Sequence, residues 1–193
     1  MSVDPSTFFI INVIDTCSIW NILSSKMLYR ATLNAKCTFS CTHFVFYECL
    51  HRRRKVDSVH DIELQQRFRK EINAGKFSIY HITIEDLQDL EILEKRKKVS
   101  KGELSSIVFA KKTRQAFMTD DQGARKLAEK VMAKKMVQTT PHLFGWLIYS
   151  GYLSDGDKNT VIDEHKQNGR PLEKYFEKIY LKALELKLAF KNN

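Results

Sequence analysis

The chain has 193 residues, of which 43% are hydrophobic and 28% charged, which excludes a disordered chain and favours one domain with a sizeable core. Its formal net charge is +9 and its isoelectric point is about 9.3, which favours a polyanionic partner, most simply nucleic acid. The longest apolar run, residues 8–14, contains Asn12 and is too short to span a bilayer, so no membrane association is expected.

The four cysteines indicate a reducing environment. Cys17, Cys37, Cys41 and Cys49 form no C-x-x-C pair, and no second pair completes a zinc site with Cys37 and Cys41. No secretory signal precedes them. We therefore expect free thiols and a cytoplasmic protein.

Apolar patterns and breakers predict strands and helices in alternation up to about residue 150. In chain order these are a strand over 8–14, a helix over 17–33, a strand over 37–41, helices over 44–55 and 61–73, a strand over 77–82, helices over 85–98 and 102–113, a strand over 116–118, a helix over 122–133, a strand over 136–139 and a helix over 141–149. This order favours an α/β fold of three layers, α/β/α, with a parallel sheet between helices.

The C-terminal part differs, because only helices are predicted there, over 160–167 and 172–190. We expect a domain over 1–155 and a helical extension over 156–193 packed on the same domain. The last helix carries apolar residues at alternating steps of four and three, namely Leu172, Phe176, Ile179, Ala183, Leu186 and Phe190. The alternative is a helix that binds a partner or a second copy of the chain.

Carboxylates stand near several predicted strand ends. Asp15 follows the first strand, Asp120 and Asp121 follow the strand over 116–118, and Glu48 and Glu103 lie early in helices. Because the carboxyl ends of parallel strands share one edge, these acids are expected to converge there. Carboxylates in one place raise one another's pKa unless a cation is present, and Mg²⁺ or Mn²⁺ prefer oxygen ligands.

Each acid also has a purely structural explanation. Glu103 closes an S-x-x-E capping box, and both Asp15 and Asp120 precede helices that they would cap. Glu48 stands four positions before Arg52, at the spacing of a helical ion pair. The order of the four segments along the chain is what favours a shared site.

The ordered segments "INVIDTCSI", "THFVFYE", "KGELSSIVFA" and "FMTDDQGARKLA" resemble those of the PIN-domain nucleases, in the branch whose third motif reads Gly-Glu. The resemblance covers about residues 8–155. It implies a flavodoxin-like fold and cleavage of RNA that depends on Mg²⁺ or Mn²⁺. Members of the family act as toxins of toxin–antitoxin pairs, in RNA processing and in phage defence, so an antitoxin or other subunit is an expected partner.

The resemblance assigns roles to individual residues. Asp15, Glu48, Glu103 and one of Asp120 and Asp121 match the metal-binding, catalytic acids. Supporting positions around these acids match Thr16, Ser18, Thr119 and Arg125. Cys17 departs from the small or polar residue usual in the first motif.

Basic residues adjoin two of these acids. The helix bearing Glu48 continues into a basic run, and one lysine precedes Glu103, so RNA phosphates would be bound by Arg52, Arg53, Arg54, Lys55 and Lys101. A solvated helix face is the alternative explanation. Trp20, Phe44 and Phe46 are expected in the core rather than in a base-stacking surface.

The favoured interpretation is a metal-dependent endoribonuclease of PIN type, as the toxin or effector of a two-component system. The first alternative is a catalytically silent PIN-like subunit of a nucleic-acid-associated complex. The second is a receiver-like phosphotransfer protein, although "MVQTTPHLF" offers no lysine on the last strand. Self-association is a further expectation that the sequence leaves open.

Overall fold

The computed structural model describes residues 3–52, 58–83, 85–86, 88 and 99–191, without the side chains of residues 190 and 191. Three of the predicted RNA-binding residues, Arg53, Arg54 and Lys55, lie outside the described residues, as does most of the helix predicted over 85–98. No helix in the described part of the chain combines the length and the apolarity needed to cross a bilayer.

A parallel sheet forms the centre of the fold. Its strands are β1 (Ile11–Ile14), β2 (Thr38–Thr42), β3 (Phe77–Tyr80), β4 (Ala116–Met118) and β5 (Val137–Gln138). They pair in the order β3-β2-β1-β4-β5, and each neighbouring pair is parallel. The predicted α/β class is therefore confirmed, and the strand order is consistent with a flavodoxin-like three-layer fold.

The helices of the described residues follow the predicted alternation. They are α1 (Thr16–Ser24), α2 (Lys26–Asn34), α3 (His43–Leu50), α4 (Val59–Asn73), α5 (Lys101–Thr113), α6 (Gln122–Val131), α7 (Thr140–Tyr149), α8 (Asp157–Gln167) and α9 (Glu173–Lys191), with a 3₁₀ turn at Lys134–Met136. The strand predicted over 136–139 is shorter because this 3₁₀ turn takes its first residue.

The helix predicted over 17–33 is divided into two helices, α1 and α2. The prediction of a continuous helix over 17–33 was wrong, because Ser25 adopts an extended conformation with φ −115° and ψ 117°. The Ser25 hydroxyl accepts a hydrogen bond from the Leu28 amide at 2.9 Å and so caps α2. A serine inside an amphipathic pattern is read as helix interior unless its backbone conformation is known.

The first strand is shorter than predicted. The apolar run over 8–14 indicated a buried strand, yet β1 begins at Ile11, whose side chain is 52% exposed. Val13 and Ile14 are fully buried, because they pair with or lie beside β2 and β4. The apolar run is therefore longer than the strand, because only its last residues lie between neighbouring strands.

The chain separates into two compact units. One contains the whole sheet and comprises Ile11–Trp20 and Thr38–Gln138. The other combines the N-terminal residues to Ile10, Asn21–Cys37 and the chain from Thr139 onward. The boundary predicted after residue 155 concerns a different division and remains a prediction.

In the helical unit, α9 packs on α7. A Cβ atom at Gly145 would overlap the side chain of Ile179, so this glycine permits the close approach of the two helices. The rings of Phe144 and Phe176 lie 4.9 Å apart. The predicted heptad positions Phe176, Ile179 and Ala183 are buried, which is the packing expected of a helix against its own chain.

Candidate functional site

Three of the five predicted acids lie at the carboxyl ends of β1 and β4, where the order of the parallel strands reverses. Asp15 follows β1 directly, and Asp120 and Asp121 follow β4 after Thr119. Crevices for ligands in open parallel sheets form at such a switch point. We use the term acidic site for the carboxylates of Asp15, Glu48, Glu103, Asp120 and Asp121.

Asp15 is almost completely buried, with 1% of its surface exposed. Its Oδ1 accepts the Ser18 amide at 2.9 Å, and its Oδ2 accepts the Thr119 hydroxyl at 2.5 Å. The Cys17 thiol lies 3.1 Å from both oxygens and donates to the carboxylate. Asp15 therefore caps α1, as the structural explanation predicted, and its orientation is set by contacts from two segments.

The surroundings of Asp15 disfavour its charged form. The pKa of this carboxyl is raised to about 6, chiefly by burial and to a lesser extent by the nearby charge of Asp120, against the opposing hydrogen bonds from Thr119, Ser18 and Cys17. Burial and the same two carboxylates raise the pKa of the Cys17 thiol, which therefore stays protonated and acts as a donor. A positive charge beside Asp15 would relieve this cost.

Thr119 connects the first and last acidic segments. Its hydroxyl donates to Asp15 and accepts the Asp121 amide at 3.1 Å. Asp121 is the N-cap of α6, because its Oδ1 accepts the Ala124 amide at 2.7 Å. The expectation that Asp120 would be this cap was wrong, because Asp121 is the residue directly before the helix and its backbone is extended, with φ −73° and ψ 127°.

The two adjacent aspartates therefore face different partners. Asp120 is half-buried and acts electrostatically on Asp15. Asp121 is exposed and acts on Glu103. The sequence could not separate them because consecutive residues in a turn point in different directions.

Glu103 has both a capping role and acidic neighbours. Its carboxylate accepts the Ser100 amide at 2.9 Å, and the Ser100 hydroxyl accepts the Glu103 amide at 3.2 Å, which completes the predicted capping box. Burial raises the pKa of Glu103, and the charges of Asp121 and Glu48 add to this, while the bonds from Ser100 oppose it. Three segments of the acidic site thus interact at this residue.

Glu48 reaches the site from α3. Its Oε2 accepts the Thr16 hydroxyl at 2.8 Å, and its carboxylate lies directly on Gly102, where an added Cβ atom would be 2.5 Å from Oε2. Buried Thr42 and Ser105 share a hydrogen bond of 2.6 Å, which holds the start of α3 against α5. Gly102, which the resemblance treated only as part of a motif, is therefore required for the position of Glu48.

We expect Gly102→Ala to bring less than the stabilisation of about 0.5–1 kcal/mol that this substitution gives in an unobstructed helix. The new methyl group has to displace the flexible carboxylate end of Glu48, which breaks its hydrogen bond with Thr16. Urea unfolding of the single variant measures the change. The matched control is Gly102→Ala in a Glu48→Ala background, where the full stabilisation should appear; an equal change in both backgrounds contradicts the overlap with Glu48.

Ser18 contributes a polar atom with no assigned contact. Its side chain is fully buried, and its hydroxyl oxygen has no hydrogen-bond partner among the described residues. A buried hydroxyl in that condition costs about 1–3 kcal/mol. Ser18 therefore offers a hydrogen bond to a water molecule or to a ligand oxygen beside Asp15.

The donor chemistry of the acidic site fits a hard divalent cation. Carboxylate and hydroxyl oxygens are the ligands that Mg²⁺ and Mn²⁺ prefer, and burial, with a smaller effect of neighbouring carboxylates, raises the pKa values of Asp15 and Glu103. Within the described ranges, however, no three His, Cys, Asp or Glu side chains are placed to hold a metal ion together. Binding would thus require side chains of the site to move from these positions.

Other residues named from the sequence lie on, or just after, helices α3, α5 and α6. Lys101 is exposed in the first turn of α5, two residues before Glu103, and Arg52 is exposed just after α3. Arg125 is half-buried on α6. Phe44 and Phe46 were expected in the core and are only partly buried, although Phe44 packs against the buried core cluster.

The fold and these contacts define an α/β protein with an acidic site at the switch point of a parallel sheet. The chain matches no protein-family model, no curated protein and no solved structure. The likeness to PIN-domain nucleases therefore remains a prediction that depends on the ordered motifs.

Proposed function

We propose that this protein is a metal-dependent endoribonuclease of PIN type that hydrolyses phosphodiester bonds of RNA. The observation that carries the proposal is that contacts join the separate segments that bear the acids. Thr119 donates to Asp15, Thr16 donates to Glu48, and the Glu48 carboxylate lies on Gly102, the residue before Glu103. Grouped acids whose pKa values are raised by burial and by one another are typical of functional sites.

Asp15 and Asp120 would hold the principal ion, and Glu48 and Glu103 would hold a second ion or orient the attacking water. When bound, Mg²⁺ or Mn²⁺ supplies activation of water and neutralisation of the charge that develops on phosphate. The residues around the acids keep these groups in place. Thr119 and the Ser18 amide restrict the rotation of Asp15, and Thr16 does the same for Glu48.

The charge of the chain supports a polyanionic substrate. The net charge of +9 attracts RNA over a distance of about 8–10 Å at physiological salt. Lys101 precedes Glu103 by two residues along the chain, and Arg52 follows Glu48 by four. RNA phosphates held by these cations would bring a phosphodiester group to the acidic site.

The test is cleavage of a mixed RNA pool by the purified chain with Mn²⁺, with Mg²⁺ and with EDTA. Cleavage in the presence of either ion and its loss in EDTA are expected, because without an ion the carboxylates repel the phosphate. The products should carry 5′-phosphates, detected by ligation. Cleavage that persists in EDTA would refute a metal-dependent site.

The silent PIN-like subunit remains a second candidate because three of the acids have structural roles. Asp15, Glu103 and Asp121 each cap a helix, and capping alone would retain them in a chain that had lost catalysis. In that case RNA is not cut under any ion condition. A partner protein that covers the acidic site, as an antitoxin would, is compatible with both candidates.

A further inference from the structure

A small cleft lies near the carboxyl ends of β2 and β3, within the unit that contains the sheet. It is lined by His43 and Phe44 at the start of α3 and by His81 and Ile82 just after β3, and it has a volume of about 250 Å³. We propose that this cleft binds one unpaired nucleobase of the RNA strand whose backbone reaches the acidic site. The inference rests on the proposed function and specifies a substrate subsite for it.

The cleft has an apolar floor and a polar rim. Phe44 and Ile82 pack against the buried cluster of β1, β4, α5 and α6, so their positions are fixed by the core. His43 and His81 are exposed, and their rings lie 5.2 Å apart with a tilt of 33°. An imidazole offers both a face for stacking and nitrogen atoms that bond to the edge of a base.

The wall after β3 is held in place by Asp86, which is 1% exposed. Its carboxylate accepts the Thr83 amide at 2.8 Å, the Tyr80 hydroxyl at 2.9 Å and the Lys112 ammonium at 2.9 Å. The Tyr80 ring in turn stacks on Phe109 at 3.9 Å. Because these bonds span the segment that carries His81, the cleft is formed before a ligand binds, which lowers the entropy cost of binding.

A row of aromatic rings continues from the cleft along the exposed side of α3. The centre of the Phe46 ring lies 5.6 Å from that of His43 and 5.5 Å from that of His51. The Tyr47 ring stacks on His51 with their centres 6.0 Å apart. Successive bases of a single strand stack on such platforms whatever their sequence. The row therefore extends the proposed subsite in the direction of Arg52.

The same helix connects the cleft to the acidic site. Phe44 precedes Glu48 by four residues, so both side chains lie on one face of α3, about 6 Å apart along its axis. A base in the cleft would thus place an adjoining phosphate near Glu48. The volume is below the about 300–1,000 Å³ of sites that enclose drug-sized ligands, which suits a single base.

A paired base does not fit this subsite. In a duplex both faces of a base are covered by its neighbours and its pairing edge is occupied. Single-stranded RNA exposes these surfaces. The proposal therefore predicts that the cleft distinguishes single strands from duplexes.

The test compares His43→Ala/His81→Ala with the wild-type chain. Fluorescence anisotropy in EDTA measures binding of a labelled, unstructured oligoribonucleotide and of its duplex, so no cleavage is needed. The double variant should bind the single strand about tenfold more weakly and the duplex as the wild type does. The matched control is His60→Ala, an exposed histidine on α4, which should change neither.

Photo-crosslinking of the wild-type chain to an oligoribonucleotide with 4-thiouridine provides evidence that needs no substitution. Adducts are expected on the peptides that contain His43 and Phe44 or His81 and Ile82. Adducts found only elsewhere overturn the proposal. Circular dichroism confirms that the double variant is folded; if it is not, the single variants His43→Ala and His81→Ala, both at exposed positions, carry the binding test.

The outcomes separate the subsite from the enzyme. If the double variant binds single strands as the wild type does, the subsite is wrong even when RNA is cut, and the cleft belongs to another occupant such as a partner protein. If single strands bind through the cleft but no ion supports cleavage, the subsite stands and the nuclease proposal fails. A wild-type chain that binds no single strand in EDTA overturns the subsite, and the nuclease proposal is then decided by the cleavage test.

Discussion

Asp15→Asn is expected to lower RNA cleavage by about 10²–10³-fold, a loss of the size seen when one electrostatic group is removed from a catalytic site. The fold should survive, because asparagine is as good an N-cap as aspartate. Its amide oxygen can still accept the Ser18 amide, and its NH₂ group can donate to the Thr119 hydroxyl, reversing the bond seen with the carboxylate. What disappears is the negative charge.

Initial rates on one labelled RNA in Mn²⁺ measure the effect, with circular dichroism to confirm folding. Asp163→Asn, an exposed substitution on α8, is the matched control and should cleave at the wild-type rate. Equal cleavage by Asp15→Asn and the wild type would show that the activity comes from another site or from a contaminant. A wild-type chain that cuts RNA, beside a folded but inactive Asp15→Asn variant, excludes the silent subunit.

Divalent ions are expected to stabilise the protein at pH 7.5 and much less at pH 5. The pKa of Asp15 is about 3.8 in the unfolded chain and about 6 in the folded one. Stability from this group is therefore full below pH 3.8 and is lost as the pH rises through about 6, by up to about 3 kcal/mol. Glu103 contributes in the same direction, because its pKa is also raised.

The ion opposes this loss because it replaces the proton. Near pH 5 Asp15 is mostly protonated and Mn²⁺ must displace a proton, whereas at pH 7.5 the ion neutralises a buried charge next to Asp120. Cys17 stays a neutral thiol throughout this range because its pKa is raised. The melting temperature with and without Mn²⁺ at the two pH values measures the difference.

Asp15→Asn isolates the contribution of this one group. Other carboxyls, among them Asp4, Asp86 and Asp157, have lowered pKa values and change stability in the opposite sense. Subtracting the variant's pH profile from that of the wild type removes them. A difference that stays constant between pH 4.5 and 7.5, with the same response to Mn²⁺ in both proteins, would contradict the raised pKa and the ion site.

Local patterns predicted those parts of the site that depend on neighbouring residues. The capping box of Ser100 and Glu103 was readable because its two hydrogen bonds join residues three positions apart. The same holds for Asp15 as the cap of α1. The turn after β4 was also local, but two adjacent aspartates fitted the cap, and the backbone conformation selected Asp121.

The amino-acid sequence by itself determined the α/β class, the alternation of strands and helices and the set of candidate acids, because hydrophobic periodicity and capping act over a few residues. Only the tertiary structure decided which groups meet. Thr119 reaches Asp15 across 104 positions and Thr16 reaches Glu48 across 32. Such contacts depend on the order of strands in the sheet and on the space that Gly102 leaves for Glu48, and neither is set by any short stretch of the chain.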